Sequence, residues 1–128
     1  MNFDQARFNM VEQQIRPWEV LDSRVLVLLE TIQRVVFVPV RSRKLAFADI
    51  AIPLEFDQLM MSPKIEARLL QALEQQADES ELEIGTGSGF MTACLAALAK
   101  NLVSVEIHHD LHDEAAEKLA DQQVGNAE

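Results

Sequence analysis

Tyrosine is absent from this chain, and tryptophan and cysteine each occur once, as Trp18 and Cys94. A lone cysteine excludes an internal disulfide framework and fits a reducing compartment, so a cytoplasmic location is expected. No apolar run approaches the ~20 residues that span a bilayer, and Met1-Asn2-Phe3-Asp4-Gln5 lacks the basic-then-apolar layout of a signal peptide. No membrane partner is expected. Basic residues are scarce and unevenly placed: residues 1–50 carry a net charge of +1, residues 51–128 one of −11. A phosphate-rich partner would be repelled by the second half, which excludes nucleic acid as the expected ligand. What is present is 48% apolar content in 128 residues, enough for one core.

The pattern along the chain changes at about residue 78. In residues 1–77, Asp4 is placed to cap a helix carrying Met10, Val11 and Ile15 and ending before Pro17. Asp22 opens a second helix with Val25, Leu26, Leu28, Leu29 and Ile32 inward, and Pro39 starts a short helical turn through Lys44. Alternation of Ile50, Ile52 and Leu54, then Leu59 and Met61, around Glu55-Phe56-Asp57 predicts a β-hairpin. Ser62-Pro63 opens a helix with Ile65, Leu69, Leu70 and Leu73 on its apolar face. Residues 78–128 read instead as strand Leu82–Ile84, helix Ser88–Ala99, strand Leu102–Ile107 and helix Asp110–Gln123. That is the opening of a parallel α/β sheet. Two parallel strands do not make a stable sheet, so a longer polypeptide is expected, or self-association through the open sheet edge.

Glycine is rare, with four in all, yet three stand at alternate positions in Leu82-Glu83-Ile84-Gly85-Thr86-Gly87-Ser88-Gly89-Phe90. A glycine turn between a strand and a helix tolerates positive φ and lets a ligand approach the backbone. The helix start behind it offers unpaired N–H groups. Glu83, two residues before the first glycine, would repel a pyrophosphate and attract an ammonium. Glu106 ends the next strand 21 residues after Gly85, near the offset at which an acid reaches ribose hydroxyls. A ligand with an amino acid at one end and a nucleoside at the other fits both acids: S-adenosylmethionine. Tight packing of the turn and a dinucleotide site remain the alternatives, although a dinucleotide turn would want glycine where Phe90 stands.

These residues bring the protein-L-isoaspartate O-methyltransferase family into view. Leu82–Phe90 resembles its first methyltransferase motif and Val103–Glu106 its ribose-binding strand end. Met10-Val11-Glu12-Gln13-Gln14-Ile15-Arg16-Pro17 is similar to a more family-specific stretch, and Phe37-Val38-Pro39 and Leu45-Ala46-Phe47-Ala48-Asp49 match its pre-sheet region. The resemblance implies a Rossmann-like methyltransferase fold, incomplete here, behind an N-terminal helical and hairpin region. It implies methyl transfer from S-adenosylmethionine to the carboxylate of isoaspartyl residues in damaged proteins. Glu83, Ile84, Gly85, Thr86, Gly87, Ser88, Gly89, Glu106 and Ile107 would hold the cofactor, and the 128 residues alone are expected to bind it weakly without turnover.

One loop departs from the family. Its Gly-Gln-Thr-Ile-Ser-Gln-Pro is here Asp57-Gln58-Leu59-Met60-Met61-Ser62-Pro63, with Leu59 at the Thr and Met61 at the Ser. Ser62, displaced by one position, is the candidate catalytic hydroxyl, and a methyltransferase with a different acceptor or a non-catalytic cofactor-binding protein are the rival readings. His108, His109 and His112 crowd the end of the second strand; no metal is expected there, and His108 or His109 is placed to flank the adenosine. Cys94 reads as inert core, Met60 and Met61 fit either core or a substrate-facing surface, and Trp18 either packing or a lid contact.

Overall fold

Asn2, not Asp4, caps the first helix of the structure, a computed structural model that describes residues 2–128. The Asn2 side chain accepts from the Gln5 N–H, and α1 runs Phe3–Met10. Its path does not stop before Pro17. It widens into a π turn, Val11–Ile15, and tightens into a 3₁₀ turn, Arg16–Trp18, where proline stands in the first turn and needs no N–H. Glu19, at φ +60°, ends it.

The first of two units comprises residues up to 52 together with 61–74. Asp22 caps α2, Ser23–Thr31, through the Arg24 N–H, and the hydrogen bond from the Arg24 side chain helps hold its carboxyl below the ordinary range. Val25, Leu26 and Leu29 face inward. A short helix that the sequence did not suggest, α3, spans Arg34–Phe37, and a 3₁₀ segment follows at Val40–Leu45. The hairpin contributes two-residue strands β1, Ile52–Pro53, and β2, Leu59–Met60. Helix α4, Pro63–Leu73, starts at Pro63 as expected but turns Glu66, Ala67 and Leu70 inward, leaving Leu69 and Leu73 exposed.

The reason is a buried charge. Arg34 is 1% exposed, and its guanidinium donates to the Ala46 carbonyl, the Met61 carbonyl and the Glu66 carboxylate. Met10, Val11, Ile15, Leu29, Phe37 and Leu70 are likewise buried in this unit. Two opposite charges with satisfied hydrogen bonds can remain in such a core, whereas either alone cannot. Pairing with Arg34 therefore fixes which face of α4 turns inward.

The second unit comprises 53–60 and 75–128. The hairpin turn thus groups with the later residues, whereas the sequence placed it with 1–77. Strand β3, Ser80–Ile84, and β4, Asn101–Val105, pair in parallel, with α5, Phe90–Leu98, between them in sequence and α6, His109–Asp121, after them. Helix α5 buries Phe90 and the run Thr92–Ala96, so Cys94 is enclosed. An isolated parallel bridge joins Leu102 to Ala127. Leu102 N–H donates to Asn126 O, Glu128 N–H to Leu102 O, and Ser104 N–H to Glu128 O, which leaves β4 flanked on both edges. The Asn126 side chain donates to the Ala96, Ala99 and Lys100 carbonyls, satisfying acceptors at the end of α5.

Leaving either buried charge alone is destabilising. Glu66→Ala is expected to lower unfolding free energy by about 3–5 kcal/mol, measured by urea denaturation. A loss below about 1 kcal/mol, the worth of an exposed pair, would show that Arg34 is held by the carbonyls alone.

Candidate functional site

The parallel register sets Ile84 against Val105, so both strands end side by side. Gly85 and Thr86 N–H groups donate to the Val105 carbonyl at 2.8 and 3.3 Å, and the chain then turns through glycines with positive φ: Gly85 at +94°, Gly87 at +56° and Gly89 at +91°. A side chain at Gly85 would meet nothing within 4 Å. Backbone conformation demands the glycine, and its outer side is open to a ligand.

Glu106 follows β4 directly. Its Oε1 accepts from the Gly87 N–H at 2.8 Å and its Oε2 from the His108 N–H at 3.1 Å. Burial pushes this carboxyl up, but those two N–H groups and the His108 charge outweigh it and hold it below the ordinary range. It is an anion at neutral pH. A carboxylate offers about four acceptor sites, so two remain for other donors.

A cavity of about 480 Å³ opens at the strand ends. Ile84, Gly85, Gly87, Glu106 and Ile107 line it, joined by Val105 and by Leu54, Gln58 and Leu59 from the hairpin. The hairpin residues were missed as cavity lining, although the alternation around Glu55-Phe56-Asp57 located the hairpin itself. Its turn also reaches the sheet end: the Phe56 ring stacks on the His108 ring at 4.5 Å between centroids, with planes 5° apart.

The chain matches the model of the family described as protein-L-isoaspartate(D-aspartate) O-methyltransferase over residues 5–127. It belongs to that family. A protein-L-isoaspartate O-methyltransferase of Rhodopseudomonas palustris is 39% identical over 119 residues, covering 93% of this chain and 55% of that protein. One of Methanoculleus marisnigri is 42% identical over 114 residues, covering 89% and 52%. The chain spans about half the length of the curated relatives it matches. A solved protein-L-isoaspartate O-methyltransferase superposes with a TM-score of 0.74 over 97% of this chain and 40% of its own, at 17% identity, which shows a partial Rossmann-like methyltransferase fold. A dimethyladenosine transferase from Plasmodium falciparum gives 0.51 over 52% of this chain and 25% of its own, at 27% identity.

Set against the family's loop, Asp57 stands where a glycine is usual, and its φ is +56°. Phe56 is at +60°, and the Gln58 N–H donates to the Glu55 carbonyl, so the turn is of the primed type that needs two left-handed residues. Aspartate tolerates that conformation better than most residues, and stacking on His108 offsets the strain at Phe56. Leu59 lines the cavity, Met60 is buried and Met61 is partly exposed. Ser62 immediately precedes α4 in the first unit, half-buried, without a bond from its hydroxyl to the helix start.

The other family motif residues face inward. Thr86 and Ser104 hydroxyls share a hydrogen bond, the Ser88 hydroxyl accepts from the Phe90 N–H, and Gly89 caps α5. Glu83 accepts from the Thr92 and Ser104 hydroxyls and does not line the cavity. Trp18 lies under the Lys64 ammonium at 4.5 Å, a cation–π contact within the first unit.

Burial raises the Glu83 carboxyl above its ordinary value near 4.5; the hydroxyls of Thr92 and Ser104 offset this in part, and the Glu106 charge adds to it. Its proton is therefore held more tightly in the fold than in the unfolded chain. That favours folding fully below the unfolded pKa, and the advantage is lost as pH rises through the raised folded value. Glu83→Gln is expected to be at least as stable as the parent at pH ~7 and to lose that margin toward pH ~4, read by urea unfolding across the range. A variant less stable at neutral pH, with the same slope, would show that the hydroxyls outweigh burial.

Proposed function

We propose that this chain supplies the cofactor-binding core of an S-adenosylmethionine-dependent methyltransferase acting on the carboxylate of isoaspartyl residues. The observation that carries the reading is the meeting of Glu106 with the open Gly85–Gly87 turn in one cavity. The residues fit the cofactor. Glu106 is an anion with acceptor sites to spare for two ribose hydroxyls, and the Gly85 backbone leaves its outer side open. The bound cofactor supplies an electrophilic methyl group. Glu106 orients the nucleoside, Gly85 and Gly87 permit close approach, and Leu54, Leu59, Ile84 and Ile107 provide apolar walls. The acceptor needs no general base, because a carboxylate is already ionised at neutral pH. Phe56 on His108 holds the hairpin turn at the strand ends. Protein repair in the cytoplasm is the setting that suits this chemistry.

Leu59 in the cavity wall favours a second reading, methyl transfer to a different acceptor, because it donates no hydrogen bond where the family carries a hydroxyl. Ser62 is the nearest hydroxyl in sequence to take that part.

Two measurements test the proposal. S-Adenosylhomocysteine is expected to bind the protein in calorimetry, with Glu106→Ala weakening it about tenfold or more, the worth of a charged hydrogen-bond pair. Binding indifferent to Glu106 would place the ligand elsewhere. In the longer polypeptide, labelled methyl is expected on an isoaspartyl peptide and not on its aspartyl counterpart; equal labelling, or labelling of neither, would support the second reading or a protein that binds without turnover.

A further inference from the structure

Helix α6 carries a group of side chains that the cofactor cavity does not use. We propose that His109, His112 and Asp113 form a surface site for a borderline divalent transition-metal ion such as zinc. Their spacing of three and four residues places them on one helix face. His109 Nε2 lies 3.3 Å from Asp113 Oδ2, and His112 Nδ1 lies 3.1 Å from Asp113 Oδ1. The two imidazoles are nearly parallel, 6° apart, with centroids at 6.4 Å. One ligand atom from each of the three falls within 4.8 Å of the others. Ligands bound to a common zinc at ~2.0–2.2 Å sit ~3–3.5 Å apart, so rotation of exposed side chains closes the remaining gap without moving the backbone.

The donor set decides the kind of ion. Two imidazole nitrogens and one carboxylate oxygen suit zinc, nickel, cobalt or copper, while magnesium and calcium prefer all-oxygen shells. All three side chains are exposed, so water completes the coordination. Asp110, Glu114 and Glu117 on the same helix, in a chain of net charge −10, draw a cation toward it. The site is distinct from the candidate cofactor cavity. None of the three residues lines that cavity, and His108, the neighbour in sequence, stacks on Phe56 instead. The same contacts without a metal are surface ion pairs of little worth, which titration separates from a site.

The experiment is calorimetric titration of zinc into untagged, metal-free protein near neutral pH. One ion per chain is expected, with a Kd tighter than ~100 µM. His109→Ala and His112→Ala are each expected to weaken binding about tenfold or more, and His108→Ala to leave it unchanged. Cobalt is expected to give a visible spectrum that the same two substitutions abolish, and magnesium to give no heat. Absence of zinc binding overturns the proposal, as does binding indifferent to His109 and His112 or dependent on His108 instead. Circular dichroism of the exposed-site variants, unchanged from the parent, keeps a loss of binding from being a loss of fold.

Discussion

The parallel register of β3 against β4 is the constraint on which the site depends. Because Ile84 faces Val105, the residues that follow each strand emerge side by side, and Gly85 and Glu106 share one wall. Every later feature follows from that adjacency. The Val105 carbonyl takes two N–H groups of the glycine turn, the Gly87 N–H reaches Glu106, and the His108 N–H fixes the other carboxylate oxygen. A one-residue slip would turn every side chain of one strand to the opposite face and move Glu106 off the turn. Backbone hydrogen bonds with Asn126 and Glu128 hold β4 along its second edge as well.

What could be read from the sequence was what is local. The glycine turn, the proline start of α4, the Asp22 cap and the strand–helix alternation each depend on residues a few positions apart, and each stands where the pattern put it. The misses involve partners distant in sequence. The face of α4 differs from the expected Ile65, Leu69, Leu70 and Leu73 because Glu66 pairs with Arg34, 32 positions earlier. For Glu83, the partners Thr92 and Ser104, 9 and 21 positions later, were not visible in the sequence. Asn2 and Asp4 are both good caps, and position alone did not choose between them. The hairpin was visible as alternation, but its place at the sheet end depends on Phe56 and His108, more than 50 residues apart.

The sheet itself has two unlike faces. On one, Leu102 is buried and Glu83 and Ser104 are partly covered; on the other, Leu82 is 61% exposed and Ile84 81%, with Val103 and Val105 beside them. Residues of a parallel sheet are ordinarily apolar on both faces because both are covered. Here the apolar residues lie on the exposed face, while the covered face is mixed, with Leu102 beside Glu83 and Ser104. The same strands also end in the cavity, whose walls include Ile84 and Val105. Site and uncovered face are thus continuous, and whatever covers one changes the walls of the other.

Two carboxylates next to one turn have been driven in opposite directions by their surroundings. Glu83, taken inward, is raised by burial and held by hydroxyls; Glu106, at the rim, is lowered by backbone N–H groups. Such a separation assigns roles, since a group kept ionised near solvent can meet a polar ligand while a group costly to ionise is better spent inside. The sequence offered both acids as ligand contacts, on the argument that one would face an ammonium and the other a ribose. Glu106 lines the cavity at the strand ends and Glu83 does not. Glu83 acts at one remove: it bonds Ser104, Ser104 bonds Thr86, and Thr86 stands between the two glycines whose conformations open the turn. An acid two residues before a glycine turn can therefore steady the backbone of that turn through hydroxyls on the neighbouring helix and strand.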